Sequence, residues 1–133
     1  MSLDILNAAQ DAMLDALESY IGTSAVLKIR TGAVPGIAAA DSGTVLATLN
    51  LPSDWMAAAS GGSKAKVGTW QDASADATGT AAHFRLYKND GSTPVIEGTV
   101  TVTGGGGDIT LDDVSIDAGQ TVTIAAFTLN GGN

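Results

Sequence analysis

Apolar and polar residues alternate most regularly between Thr80 and Leu129, where the pattern predicts four β-strands joined by turn-forming residues. Phe84 and Leu86 alternate with His83, Arg85 and Tyr87, the spacing of a half-buried strand whose polar phase meets water. Lys88 to Ser92 reads as a hairpin loop, and Pro94 opens the next strand where no ladder donor is needed. Ile96, Val100 and Val102 then fall on one face, with Glu97, Thr99, Thr101 and Thr103 on the other. The run Gly104 to Gly107 stops that strand and reads as a flexible loop. Ile109 and Leu111 are out of phase with Val114 and Ile116, which requires a bulge or sharp bend at Asp112-Asp113. After a turn at Asp117 to Gln120, Val122, Ile124 and Ala126 oppose Ala125, Phe127 and Leu129, as in a central strand covered on both faces.

Upstream, Leu6, Met13, Leu17 and Tyr20, widened by Leu14 and Ile21, predict a helix from Leu3 to Ile21. Ser2 is placed to cap it, Asp4 to favour its dipole and Gly22 to end it. Its apolar stripe packs either on its own domain or on a neighbouring subunit. Strands follow at Ala25 to Arg30 and Val45 to Leu51, the second stopped by Pro52. Asp54-Trp55-Met56 reads as an anchor, Ala57 to Ser63 as a small-residue loop, and Ala65, Val67 and Trp70 as a further short strand. Gln71 to Thr78 reads as an exposed, mobile loop. The pattern predicts a mainly β fold, a β-sandwich of jelly-roll or immunoglobulin-like type with one N-terminal α-helix. It divides into a helical arm over 1–23 and a β-sandwich domain over 24–133.

Composition narrows the function. With 14 acidic against 6 basic side chains the net charge is -8, which disfavours nucleic acid and anionic membrane surfaces as partners. The absence of cysteine excludes disulfides, thiol catalysis and thiolate metal sites. No basic residue precedes Lys28, so no secretory signal is expected and the protein is expected to be made in the cytoplasm and soluble.

Candidate chemistry is sparse. Ser63-Lys64-Ala65-Lys66 matches the Ser-x-x-Lys spacing by which lysine activates serine, but the companion motifs are missing and a solvated hairpin is the better reading. His83, the only histidine, is expected at the surface. Asp108, Asp112, Asp113 and Asp117 offer the hard oxygens calcium prefers, without the spacing of a known calcium loop. Trp55 and Trp70 form either a sugar-stacking platform or core lids. Glu18 and Glu97 do not make a carboxylate pair, Glu97 being read as an isolated residue facing out. No catalytic residue, cofactor or metal is expected, and the protein is read as a non-enzyme.

Three segments, Leu27 to Leu51 (LKIRTGAVPGIAAADSGTVLATLNL), Gly79 to Val100 (GTAAHFRLYKNDGSTPVIEGTV) and Asp112 to Leu129 (DDVSIDAGQTVTIAAFTL), resemble in order small structural proteins encoded among the virion genes of tailed bacteriophages. The resemblance implies a capsid decoration (cement) protein on the virion surface. Its partners would be the major capsid protein and further copies of itself, as a trimer. A neck or tail protein forming rings is the nearer alternative and a carbohydrate-binding module the more distant. On this reading the helix and the loops Gly32 to Gly43 and Ala57 to Ser63 contact the shell, and removing Met1 to Ile21 weakens attachment while leaving the β-domain folded.

Overall fold

A computed structural model describes residues 3–132. The protein is mainly β, with one N-terminal helix and a curled sheet. Helix α1 (Asn7–Ile21) is followed by β1 (Val26–Arg30), β2 (Val45–Asn50), β3 (Ser63–Ala65), β4 (Trp70–Asp72), β5 (Gly79–Thr80) and β6 (His83–Tyr87). Then come β7 (Pro94–Val102), β8 (Ile109–Leu111), β9 (Ser115–Ile116), β10 (Val122–Ile124) and β11 (Thr128–Asn130). Five strands form one sheet in the order β2-β1-β6-β7-β8, and β10-β4, β11-β3 and β5-β9 pair as three two-stranded ribbons.

The register explains the core. Leu27 lies opposite Leu49 and Leu86, and Ile29 opposite Ala47 and Phe84, so one sheet face is aliphatic and aromatic across three strands. That face packs on Trp55, Trp70 and Phe127, all buried. Phe127 meets Phe84 edge-on at 5.8 Å and Trp70 at 5.4 Å between ring centroids. Each indole also anchors a connection, Trp55 Nε1 donating to Gly22 O at 2.8 Å and Trp70 Nε1 to Val67 O at 3.1 Å.

Several expectations are corrected. The helix begins at Asn7 rather than Leu3 because Leu6 is extended, at φ -56° and ψ 135°, so no acid occupies the first turn and Asp4 lies ahead of it. The Ser2 cap falls outside the described residues. Gly22 does end the helix at φ 91°. The expected central strand is two: β10 pairs only with β4 and β11 only with β3, and between them Ala125 and Ala126 are exposed while Phe127 is buried, so the segment is not covered on both faces. Likewise the short strand around Ala65, Val67 and Trp70 divides into β3 and β4. The loop over Gln71 to Thr78 is pinned rather than free: Gln71 and Asp72 lie in β4, Asp72 Oδ2 accepts from Thr48 N at 2.9 Å, Asp76 N donates to Leu46 O at 2.7 Å, and Ala75 is buried. The break at Asp112-Asp113 is observed, and it moves the chain from β8 in the main sheet to β9 in a ribbon.

The tetraglycine does more than stop a strand. β7 and β8 are parallel, Val100 facing Ile109 and Val102 facing Leu111, yet they are joined without a crossover helix. The return is tight because Gly105 and Gly107 lie against Thr101, where an added Cβ would come within 2.8 Å of the Thr101 hydroxyl. Gly107 N donates to that same hydroxyl at 3.0 Å. Gly107→Ala is therefore expected to lower unfolding free energy by about 1–3 kcal/mol, the usual range for overpacking, measured by urea denaturation; an unchanged midpoint would contradict the close return.

A buried ionic clasp as the candidate functional site

The second sheet face is polar, and the structure covers it. Lys28, Arg85 and Glu97 form one cross-strand row, and Arg30, His83 and Thr99 the next. A period of two identifies this face but not what lies above it. The β1–β2 connection, residues 32–43, folds back across it and buries His83, Arg85 and Tyr87, while Phe84 and Leu86 are buried on the apolar face. His83, Arg85 and Tyr87 are thus core residues, not surface ones, and Glu97 faces this cluster rather than solvent.

Arg85 is the centre of the clasp. Its Nη1 donates to Asp41 Oδ1 at 2.8 Å, and its Nη2 reaches Gly36 O at 2.8 Å, Ala39 O at 3.0 Å and Glu97 Oε1 at 3.0 Å. Glu97 closes the ring by accepting from Gly36 N at 2.9 Å. Arg30 Nη2 lies 3.1 Å from both Asp41 Oδ2 and the Tyr87 hydroxyl, which itself donates to Asp41 Oδ1 at 2.8 Å. His83 Nδ1 pairs with Gly32 O at 2.8 Å. Two guanidinium groups thereby meet two carboxylates, and the cluster is neutral in formal charge.

Burial works to raise the Asp41 pKa, but hydrogen bonds from Tyr87 and Arg85 and the fields of both guanidinium groups outweigh it and hold the carboxyl below its ordinary value. Burial, helped by Asp41, pushes the Tyr87 phenol up. At neutral pH the phenol is therefore protonated and donates to a charged Asp41.

A second ionic lock fixes the helix. Lys64 is buried beneath α1, its Nζ 2.6 Å from Asp15 Oδ1 and 2.7 Å from Glu18 Oε1. Burial disfavours its charge, yet hydrogen bonds to the two acids outweigh that and raise the Lys64 pKa. The hydrogen bond from Lys64, followed by that from Ala59 N, lowers the Asp15 pKa. Gly62 N donates to Asp11 Oδ1 at 2.8 Å and Ala59 N to Asp15 Oδ1 at 3.0 Å. The 57–63 loop thus engages the helix of its own chain. Lys64 does lie in a hairpin, closed by the Ser60–Ser63 and Met56–Lys66 pairs, but its side chain is buried rather than solvated, while the Ser63 hydroxyl and Lys66 Nζ are engaged elsewhere, by Ser60 O and Gly68 O.

The remaining candidates disperse. Asp108 accepts from Thr99 N at 2.9 Å and Asp113 from Ser115 N at 2.9 Å, and no group of three metal-ligating side chains occurs among the described residues. Trp55 and Trp70 are buried and 6.0 Å apart, with no open ring face for a sugar. Among the large apolar side chains left exposed are Ile37 on the clasped loop at 44%, Met13 and Tyr20 on the helix at 49% and 63%, Leu3 and Leu6 ahead of the helix at 85% and 76%, and Val102 at the end of β7 at 45%. No helix among the described residues is long and apolar enough to cross a membrane. Comparison with protein-family models, curated proteins and solved structures finds no match for this chain.

Removing the Asp41 charge leaves both arginines short of an acceptor. Breaking a fully buried pair costs about 3–5 kcal/mol. Asp41 is 39% exposed, so about 2 kcal/mol at pH 7 is expected for Asp41→Asn. Because the folded pKa is depressed, this stabilisation is present above the unfolded carboxyl value of about 3.9 and is lost as pH falls through the folded value. Urea unfolding of both proteins should show a gap at pH 7 that closes below about pH 4; a gap independent of pH would contradict the ionic assignment.

Proposed function

We propose that this chain is a non-enzymatic virion structural protein, a decoration protein that binds the major capsid protein lattice of a tailed bacteriophage and stiffens the shell. The observation that carries the reading is the disposition of charge and apolar surface. Buried Arg30, Lys64 and Arg85 are each paired with the protein's own carboxylates, while Ile37 stands exposed on a loop fixed from below at Gly32, Gly36, Ala39 and Asp41. Such a loop presents an apolar contact with little ordering cost on docking, the condition under which a small protein gains from bridging a seam. The sequence resemblance supports the same reading, as does the β-rich domain, which we take to be a β-sandwich closed by the helix and ribbons.

The structure bears on which surfaces to test. Ile21 belongs to the core cluster, Leu17 packs against it, Leu14 is buried and Lys64 lies beneath the helix, so removing residues 1–21 would disturb the β-domain as well as any docking. Point substitution on the clasped loop isolates docking from folding. Ile37→Asp is expected to leave unfolding within about 0.5 kcal/mol of wild type, as usual for a surface change. The same substitution is expected to lower occupancy on particles.

Quantitative peptide mass spectrometry on purified particles supplies the first test. Copies close in number to the major capsid protein support decoration, a small ratio moves the chain to a neck or tail ring, and absence from particles refutes the virion reading.

A further inference from the structure

Two strand edges with unused backbone groups border one groove. Thr99 N points away from β6, to Asp108 Oδ2 at 2.9 Å, whereas Val100 N points to the β6 side, to Ala82 O at 2.9 Å. Ladder groups alternate along a strand, so the N–H and C=O of Glu97 also point away from β6, and β8 pairs only with Val100 to Val102 and does not reach them. On β11, Gly131 N donates to Gly62 O and Phe127 O accepts from Lys66 N, which directs the odd-numbered residues toward β3. The N–H and C=O of Thr128 and Asn130 therefore point the other way, and β11 has no second neighbour. Between β7 and β11 lies a groove of about 220 Å³, with buried Phe84 and Phe127 in its lining and Ile96 and Leu129 beside them. It shares Asp108, Phe127 and Thr128 with a second hollow of about 220 Å³. The opposite edge of the sheet is closed: on β2, Thr48 N is taken by Asp72 Oδ2 and Leu46 O by Asp76 N, so no strand can add there.

We propose that the slot between β7 and β11 captures an extended segment of another protein as an added strand, with a lysine or arginine of that segment at Asp108. Main-chain donors and acceptors left open at strand spacing are complementary to another main chain, and alternate side chains of the added strand fill the aromatic lining. Because β8 begins at Ile109, the added strand lies in line with β8 and ends at Asp108. Charge selects the occupant. Asp108 is exposed, its Oδ2 accepts from Thr99 N and Oγ1, and it has no ion-pair partner among the described residues. Glu97, the other acid of the groove, is already compensated by Arg85, and no basic residue lines either hollow. One uncompensated carboxylate thus calls for one cation from the incoming strand. A second copy of this chain, at net charge -8, is electrostatically disfavoured as the source. The inference concerns strand capture alone and stands apart from the virion reading.

Amide-resolved NMR on the isotope-labelled full chain tests it, with the synthetic peptide acetyl-Thr-Val-Lys-Val-Thr-amide added to about 2 mM, the concentration range of a weak complex. The amides of Glu97, Thr128 and Asn130 should exchange freely with solvent in the free protein, then shift and become protected as peptide is added. Asn130→Pro removes a donor from the slot and no ladder bond, so it should leave the urea midpoint unchanged and weaken peptide binding about tenfold. On the unaltered protein, methylating the peptide's backbone nitrogens should cause a similar loss, and exchanging its lysine for glutamate a loss of about two- to fivefold. Protection of these amides in the free protein, no binding at about 2 mM, shifts confined to other residues, equal binding of the methylated peptide, or association of the free chain through these same amides would each overturn the proposal.

Discussion

A guanidinium placed in the middle of a sheet must find acceptors, and most of this fold follows from how Arg85 finds them. β6 pairs on both sides, with β1 and β7, so Arg85 cannot reach past a sheet edge to water. Leaving it unpaired would cost several kcal/mol. One acceptor comes from the neighbouring strand as Glu97, and the others from the β1–β2 loop as Asp41 and the carbonyls of Gly36 and Ala39. A long hairpin connection, which by itself would be mobile, is thereby held at several points to the face it crosses. The position of Ile37 on the outer surface of that loop is a consequence of the buried arginine.

Lys64 imposes the same logic on the opposite side of the molecule. Its ammonium is buried under α1 and compensated by Asp15 and Glu18, which lie three residues apart and so share a helix face. The lock fixes helix rotation as well as helix position. With Asp15 and Glu18 turned down onto β3 and Leu14 and Ile21 buried, Met13 and Tyr20 must point away. Neither exposed apolar surface is an accident of composition, since each is the far side of an element whose near side is tied down by ions.

Much of this architecture was legible in the residues. The helix over most of its length, β1, β2, the Lys88 to Ser92 hairpin, the break at Asp112-Asp113 and the anchoring of Trp55 were each signalled by period or turn chemistry. What was not legible is contact at long sequence separation. His83, Arg85 and Tyr87 carry the pattern of a solvent-facing phase, and only the return of residues 36–41 makes them interior. Lys64 likewise looks like a hairpin residue until a helix 49 positions away covers it. One signal was available: an arginine, a histidine and a tyrosine on one strand phase, opposite Lys28, Arg30 and Glu97, is a dense polar row for a surface, and a long Gly-rich connection carrying a single aspartate is suited to cover it. The tetraglycine was read as slack because nothing local reveals that β8 returns parallel to β7 against Thr101.

Buried ion clusters are weak sources of stability, since well-packed apolar residues of the same volume often serve as well or better. The clasp is better understood as a device for placement. An apolar underside would let the 32–43 loop settle in several registers, because dispersion contacts have little directionality. Arg85 accepts only an arrangement in which two carbonyls and two carboxylates arrive together at hydrogen-bonding distance. A loop seated by such a fork has one position, and so does the residue it displays. For a protein whose proposed work is to meet a repeating lattice, where a small misplacement is multiplied at every site, a single well-determined contact is worth more than the extra stability that an apolar underside would bring.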